Sequence, residues 1–277
     1  MESSLKQRLL TALIGVPLII LILLAPRPII AIVVMIASCV GLHEYYKAVG
    51  LSNYPDICIL GYIAAFVLSV GSGFTAGVSL TLVYIYVVIL FVFMLLSVRS
   101  VGVIHIGMLL LGLVYIPYFL SHITYIRALD FGNFYIWLVF IGAFLTDTCA
   151  YFIGCRFGKH KLCPKISPKK SVEGAIAGVV GGGLSFVLYG FVVNLFFTQL
   201  LGGGHMHLGR LFVLGLIAAV MSEIGDLVAS SIKRQFNIKD FGTILPGHGG
   251  ILDRCDSIIL VAPAIFLFLY NVNIVVY

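Results

Sequence analysis

Acidic and basic side chains gather between residues 222 and 256 of a chain in which only 10% of the residues are charged. Glu223 and Asp226 stand three residues apart, a spacing that puts both carboxylates on one face of a helix. Asp253 and Asp256 follow at the far end of this stretch. Because Mg²⁺ prefers a few carboxylates and completes its shell with water and substrate phosphates, the pattern predicts a magnesium site at Asp226 and Asp253.

Cations accompany these acids. Those within the same stretch are Lys233, Arg234, Lys239 and Arg254. A second polar stretch, Gly154–Gly174, carries six more Lys and Arg residues. Such a surface predicts the binding of phosphate groups. A purely topogenic role, in which the charge holds the loop on one side of a membrane, would also explain the charge, but not the dense Ser, Pro and Gly residues of this loop.

A glycine-rich turn, Leu245–Gly250, precedes Asp253 and includes His248. Glycine permits backbone conformations in which N–H groups converge on an anion, so the turn could hold a phosphate. The alternative is an ordinary glycine-rich turn without a ligand. Asp253 likewise has a simpler interpretation, as an acid placed favourably at the start of a helix.

Another acid, Asp147, lies within an apolar segment, where a carboxylate usually faces a polar cavity or a partner. Gly225, beside Asp226, lets another helix or a ligand approach closely. Pairing of these carboxylates with Lys or Arg for packing alone is the competing interpretation. Acidic metal ligands, many cations and a turn suited to binding phosphate together favour metal-assisted phosphoryl or nucleotidyl transfer to a lipid.

The elements that must position these groups are apolar. Hydrophobic residues make up 61% of the 277 residues and the mean hydropathy is +1.14, which indicates an integral membrane protein. The first apolar run lacks a small-residue cleavage site before Pro26, so it is interpreted as a spanning helix rather than a signal peptide. The six scattered cysteines form no C-x-x-C pair and support neither a disulfide framework nor a zinc site.

A spanning helix needs roughly 20 mainly apolar residues. The sequence predicts about nine such segments, near residues 9–25, 29–48, 56–72, 78–97, 101–121, 133–154, 174–199, 209–231 and 257–277. With that count, fourteen Lys and Arg residues share the side of the amino terminus and three lie on the other. This bias predicts a cytoplasmic amino terminus and a cytoplasmic site. We therefore expect one all-α polytopic domain over residues 1–277. Its net charge of +6 suits anionic lipids and substrates rather than nucleic acid.

The residues around the acids resemble the signature of the phosphatidate cytidylyltransferase (CDP-diacylglycerol synthase) family. The motif runs through Ser230-Ser231-Ile232-Lys233-Arg234, Lys239-Asp240, Gly242, Leu245-Pro246-Gly247-His248-Gly249-Gly250-Ile251-Leu252-Asp253-Arg254 and Asp256. The stretch from Asp147 to Gly174, with Ser167-Pro168-Lys169-Lys170-Ser171, is similar to the same family. Residues 1–130 match it loosely, and 133–277 would form the catalytic part.

The resemblance implies transfer of CMP from CTP to phosphatidate in phospholipid biosynthesis, by a homodimer in the cell membrane with its active site facing the cytoplasm. Asp226 and Asp253 would bind Mg²⁺, a second cation (K⁺ or Mg²⁺) could join it, and Lys233 and Arg254 would act in catalysis. The substrate-binding residues would be Asp147, Ser167, Lys169, Lys170, Ser230, Arg234, Lys239, Asp240, His248, Gly249, Gly250 and Asp256.

Three departures from the family pattern and two alternatives accompany this interpretation, and the first departure is Cys255, which replaces the usual aliphatic residue between Arg254 and Asp256. Ala229 stands where the family often has Glu, and Glu223, where it often has Gln, is a candidate to supply the missing charge. One alternative is nucleotidyl or phosphoryl transfer to a different lipid phosphate or a polyprenol. The other is an ion-coupled transporter, which is disfavoured because the polar residues gather at one membrane face and no clear internal repeat is present.

Overall fold

The computed structural model describes residues 13, 15–74, 79–96, 101–244, 247 and 249–277. These residues are mostly helical, as the apolar segments predict. The α-helices are α1 (Gly15–Leu24), α2 (Arg27–Ala48), α3 (Pro55–Phe74), α4 (Ser79–Leu96), α5 (Val103–Leu113), α6 (Phe119–Ala128), α7 (Gly132–Phe157), α8 (Val172–Phe196), α9 (Leu208–Gln235) and α10 (Leu252–Asn271). A π-helical turn, Val114–Tyr118, joins α5 to α6.

Two short antiparallel sheets interrupt the helices. The strands β1 (Lys161–Cys163) and β2 (Ser167–Ser171) form a hairpin within the basic loop. The strands β3 (His205–Met206) and β4 (Val275–Val276) pair the segment before α9 with the end of the chain. The fold is therefore all-α with two small β additions, and the predicted basic loop is an ordered hairpin.

Six helical segments are long and apolar enough to cross a membrane: α2, Pro55–Ser72 of α3, the continuous unit Val103–Ala128, α7, α8 and α9. Large apolar side chains stay exposed on them, among them Leu184 at 57% and Phe196 at 70%, as expected of surfaces that face lipid. The all-α polytopic membrane fold is confirmed. The count of nine crossings and the side of the amino terminus stay predictions.

Three predicted boundaries are corrected by the structure. The segment placed at 101–121 continues through the π-helical turn to Ala128. Helix α9 continues to Gln235, so that Lys233 and Arg234 lie on its last turn, where cations complement the helix dipole. Helix α10 begins at Leu252, so that Asp253 lies in its first turn rather than in the loop before it. Polar helix ends lack the apolar pattern from which spans are predicted.

The helices group into two compact units. The first unit takes the described residues up to Tyr125 together with Gln235–Cys255. The second unit comprises Ile126–Arg234 and Asp256–Tyr277. The expectation of a single domain over 1–277 stays a prediction, and each unit is described by itself below.

In the second unit, helices pack closely through faces that carry glycine. A Cβ atom added to Gly215 on α9 would lie 2.8 Å from the Cα of Gly183 on α8, and one on Gly182 would lie 2.7 Å from the Cβ of Ala219. On Gly225 it would lie 2.5 Å from the carbonyl oxygen of Asp256, so the prediction that a helix approaches closely beside Asp226 is confirmed. Small residues at helix crossings bring backbones together in membranes.

The variant Gly215→Ala is expected to destabilise the protein by about 1–3 kcal/mol, because its methyl group would meet backbone atoms that have little room to move. Gly107→Ala, on α5, is the matched control, since a Cβ atom there has no neighbour within 4 Å. Thermal unfolding of both variants in the same detergent measures the difference. Equal melting temperatures would contradict the close contact of α8 and α9.

Candidate active site

Lys170 forms the centre of the polar site in the second unit. Its ammonium lies 2.6 Å from Oε2 of Glu223 and 2.8 Å from Oδ2 of Asp226. The side chain of Lys170 is 19% exposed, whereas those of Glu223 and Asp226 are 9% and 29% exposed. Since one ammonium reaches both carboxylates, the prediction that Glu223 and Asp226 share a helical face is confirmed.

The hairpin β1–β2 places Lys170 against α9. Glu173, at the start of α8, accepts hydrogen bonds from the backbone N–H groups of Lys159 and His160 at 3.1 and 3.2 Å. Its carboxylate also lies 2.6 Å from Nδ1 of His160. Ser171 caps α8 by accepting a hydrogen bond from the backbone N–H of Gly174 at 3.2 Å. The two ends of the hairpin are thus tied to α8, which fixes the strand that carries Lys170.

Two more acids complete what we call the acidic cluster: Asp147, Glu223, Asp226 and Asp256. Asp147, on α7, accepts a hydrogen bond from the hydroxyl of Ser257 at 3.2 Å and interacts electrostatically with Lys170. Asp256, on α10, interacts electrostatically with the negative charges of Asp226 and Asp147 and with the positive charge of Lys233. Three helices therefore bring four carboxylates to one region, with Lys170 and Lys233 as the cations that act on them.

A cavity of about 750 Å³ opens beside this cluster. Its walls come from α7, the hairpin, the start of α8 and α9. Asp147, Glu223 and Asp226 supply its acidic wall, while Lys161, Lys169 and Lys170 supply cations. The volume falls within the range of about 300–1,000 Å³ that is typical of small-molecule pockets. The cavity joins the acids of α7 and α9 to the basic hairpin. Binding of a phosphate group there stays a prediction.

The electrostatics of the cavity favour a charged Lys170. Burial alone would lower the pKa of Lys170, but the carboxylates of Asp226 and Glu223 outweigh it and raise that pKa above its ordinary value. Oε1 of Glu223 is buried and, among the described residues, has no hydrogen-bond partner. Buried carboxylate oxygens usually have a hydrogen-bond donor, so this oxygen is an exception within the cluster.

In the first unit, Asp253 organises the loop that leads into α10. Its Oδ2 accepts hydrogen bonds from the backbone N–H of Phe241 at 2.8 Å and of Gly250 at 3.0 Å. Asp253 is 7% exposed. Gly249 has φ +85°, a conformation that L side chains rarely adopt, and a Cβ atom there would lie 3.0 Å from the same carboxylate oxygen.

The glycine turn and the residues on either side of it bind side-chain carboxylates of the chain itself. Gly250 is the donor that lies within the described part of the turn, and binding of a phosphate by the turn stays a prediction. Phe241 and Gly250 donate to Asp253, and Ile251 and Leu252 donate to Glu44. His248, Leu245 and Pro246 lie outside the described residues, so the role predicted for His248 stays a prediction.

Glu44 was not among the predicted site residues, although His43-Glu44-Tyr45-Tyr46 is the polar stretch through which residues 1–130 loosely resemble the family. Glu44 stands on α2, is 3% exposed, and accepts hydrogen bonds from the N–H groups of Ile251 at 3.1 Å and Leu252 at 2.8 Å. The signal was a single acid near the end of an apolar helix, next to His43 and Lys47, which resembles an ordinary membrane-interface residue. The partners lie more than 200 positions away along the chain.

The remaining predicted residues fall into three groups. Ser230 donates to Oδ1 of Asp226 at 3.4 Å, and Nε of Arg234 donates to the carbonyl of Ile166 at the hairpin tip at 3.4 Å. Ser167 begins β2, which also carries Lys169. Three predicted residues of the first unit are exposed, namely Lys239, Asp240 and Arg254. Because Asp226 and Asp253 belong to different units, their sharing of one metal ion stays a prediction.

The acidic cluster fits a magnesium ion that is completed by its substrate. Within the described residues, no three His, Cys, Asp or Glu side chains form a ready metal cage. Mg²⁺ needs no such cage, because it is usually bound by one or two carboxylates and by substrate phosphates. Asp226 is partly exposed and lines the cavity together with Glu223, so these two carboxylates are the ones available to such an ion, and its binding stays a prediction.

Comparison with known proteins decides the family. The model of a family described as "Cytidylyltransferase family" matches residues 6–272. The chain belongs to the cytidylyltransferase family. Its curated relatives include a phosphatidate cytidylyltransferase of Bacillus subtilis, 32% identical over 272 residues that cover 96% of this chain and 98% of the relative. Another, from Rickettsia felis, is 42% identical over 158 residues that cover 57% of this chain and 68% of the relative.

Membership in the cytidylyltransferase family makes this membrane protein a nucleotidyltransferase, as the sequence predicts. Ala229, which stands where the family often has Glu, lies on α9 and is 0% exposed. A carboxylate at that position would be buried, whereas Glu223, one turn before Asp226, already reaches Lys170. Glu223 thus adds a negative charge to the acidic cluster, and whether it replaces the charge missing at Ala229 stays a prediction.

Proposed function

We propose that this enzyme transfers CMP from CTP to phosphatidate, which yields CDP-diacylglycerol and pyrophosphate. The observation that carries the proposal is the similarity to the Bacillus subtilis phosphatidate cytidylyltransferase along nearly the whole of both chains. The cavity supports it, because acids and lysines meet there at the end of membrane helices. The bias of basic residues toward one side favours a site that faces the cytoplasm, where CTP is found.

In this reaction a phosphate oxygen of phosphatidate attacks the α-phosphorus of CTP. A new P–O bond forms as the bond from the α-phosphorus to the bridging oxygen breaks, and pyrophosphate leaves in line. Because the attacking oxygen is already anionic, the reaction requires positioning and charge neutralisation rather than a strong base. Lys169 and Lys170 line the cavity and would bind phosphate oxygens, with Lys233, Arg234, Lys239 and Arg254 supplying further positive charge.

We assign Mg²⁺ to Asp226 and Asp253, and a second cation, K⁺ or Mg²⁺, to the neighbourhood of Asp147. When bound, Mg²⁺ would neutralise triphosphate charge and polarise the α-phosphoryl group. The hydroxyl of Ser230 would hold the Asp226 carboxylate in place, since it donates to Oδ1. A homodimer in the cell membrane completes the proposal.

Purified protein in lipid–detergent micelles tests this function. CTP labelled in its cytosine, phosphatidate and Mg²⁺ are expected to give lipid-extractable label together with an equal amount of pyrophosphate. Label in the γ-phosphate is expected to stay in the water phase. The converse result, in which only the γ-label enters the lipid, would show a lipid kinase. If label entered a polyprenyl phosphate but not phosphatidate, the polyprenyl phosphate would be the acceptor instead. The Bacillus subtilis enzyme is the positive control.

Removal of divalent cations tests the metal assignment. We expect a chelator to stop lipid labelling and added Mg²⁺ to restore it, because the acidic cluster would otherwise repel the triphosphate. The readout is the rate of lipid labelling as free Mg²⁺ is titrated. Full activity in the chelator would contradict the assignment of Mg²⁺ to Asp226 and Asp253.

A further inference from the structure

The carboxylate of Glu44 accepts hydrogen bonds from backbone N–H groups at the start of α10 and immediately before it. Ile251 and Leu252 donate to its two oxygens at 3.1 and 2.8 Å, so each oxygen has one donor. These N–H groups belong to the positive end of the helix dipole, where an anion is stabilised. Glu44 is 3% exposed, which makes the interaction a buried one. A buried carboxylate without hydrogen-bond donors would raise the free energy of the folded state. The two hydrogen bonds therefore fix the position of the helix start.

The loop that precedes α10 is shaped around the same carboxylate. Gly242 and Gly250 both lie against Glu44 so closely that a Cβ atom on either would overlap its carboxyl group. Neither overlap involves a positive φ, since that conformation is recorded for Gly247 and Gly249 in this loop. The two glycines are therefore needed for the approach to Glu44, and not for an unusual backbone angle.

Asp253 and Glu44 hold one loop between them. Asp253 accepts hydrogen bonds from Phe241 and Gly250, at the beginning and the end of the loop. Glu44 accepts from the two residues that immediately precede Asp253. A change at Glu44 must therefore shift the backbone that carries Asp253. Displacements of about 1 Å at a reacting centre can reduce a rate by about a hundredfold.

We propose that Glu44 is a positioning residue, whose carboxylate fixes the backbone of Ile251 and Leu252 and thereby the place of Asp253. Its effect on turnover rests on the proposed function, because Asp253 matters to the reaction only if it acts there. Its effect on the loop does not depend on that function, and the experiment measures both.

The first test compares Glu44→Gln, Glu44→Asp and the control Ser38→Ala. Ser38 is also buried on α2, and its hydroxyl has no hydrogen-bond partner among the described residues. We expect Glu44→Gln to lower kcat for CDP-lipid formation by about ten- to a hundredfold with a smaller change in the KM for CTP. Glu44→Asp should recover part of the lost kcat because it keeps the carboxylate. Ser38→Ala should keep normal turnover.

Hydrogen exchange supplies a readout that needs no substrate. In Glu44→Gln, the amides of Ile251 and Leu252 are expected to exchange about tenfold faster or more, since they lose a charged acceptor. A hairpin peptide covering Lys161–Ser171 should exchange at its normal rate. Faster exchange throughout the protein, without rescue by Glu44→Asp, would show general scaffolding and overturn the proposal.

A double-mutant cycle tests the contact with Gly242. Gly242→Ala alone should push the loop away and lower kcat, because its methyl group meets the Glu44 carboxylate. In a Glu44→Ala background that space is empty, so adding Gly242→Ala should cause little further loss. Full additivity, or unchanged kcat in every Glu44 variant of an active enzyme, would overturn the proposal. A wild type without CDP-lipid formation would remove the proposed function, while the exchange rates would still decide the role of Glu44.

Discussion

Asp226→Asn is expected to form CDP-lipid at least about a hundredfold more slowly than the wild-type protein, while still inserting into the membrane. Asparagine keeps the size of the side chain and can still accept the hydrogen bond from Ser230. It removes the negative charge that pairs with Lys170 and that we assign to Mg²⁺. Initial rates across a range of Mg²⁺ concentrations measure the effect.

Asp56→Asn is the control for this experiment. Asp56 is an exposed acid in the first turn of α3 and lies outside the acidic cluster. Its variant should turn over normally. Asp253→Asn should be as inactive as Asp226→Asn, although its loop needs a check by hydrogen exchange because Asp253 also holds Phe241 and Gly250. Near-normal rates in both Asp226→Asn and Asp253→Asn would remove the metal assignment.

Lys170→Met is expected to have the second large effect, on both stability and turnover. Without the ammonium, Glu223 and Asp226 would remain as neighbouring carboxylates, one of them buried. Removing one partner of a buried ion pair typically costs about 3–5 kcal/mol. The exposure of Asp226 should place this variant at the lower end of that range. Turnover should fall as well, because Lys170 is assigned to phosphate oxygens.

A second substitution separates the two effects. In Lys170→Met/Glu223→Gln the buried charge is removed with its partner, so much of the lost melting temperature should return while CDP-lipid formation stays low. Lys47→Met, which removes an exposed lysine at the end of α2, is the control for lost charge alone. If turnover returned together with stability in the double variant, Lys170 would be a structural residue and its assigned role would be wrong.

Apolar patterning predicts much of this fold because membrane helices must be long and hydrophobic. The i, i+3 spacing also predicts correctly that Glu223 and Asp226 share a face, as their common contact with Lys170 demonstrates. Helix ends were less predictable. Lys233 and Asp253 are polar residues inside helices, where dipole interactions and capping decide the boundary rather than hydropathy.

The contacts of Glu44 and of the hairpin could not be read from the sequence for a different reason. The hairpin has no alternating pattern, and Glu173 stabilises it through backbone N–H groups that carry no sequence signal. Glu44 meets its partners across most of the chain length, and those partners are again backbone groups. Glycines mark such positions only indirectly, since Gly242 and Gly250 stand where a side chain would displace the acid.

The pairing of Lys170 with two carboxylates has a consequence for the selection of anions. An incoming anion gains little by approaching a lysine that is already neutralised, and it would leave Glu223 and Asp226 without a counterion. A bare anion such as inorganic phosphate is thus expected to bind weakly at Lys170, whereas an anion that arrives with its own cation restores the balance of charge. Under the proposed function, Lys170 would therefore discriminate between anions by the cation that accompanies them.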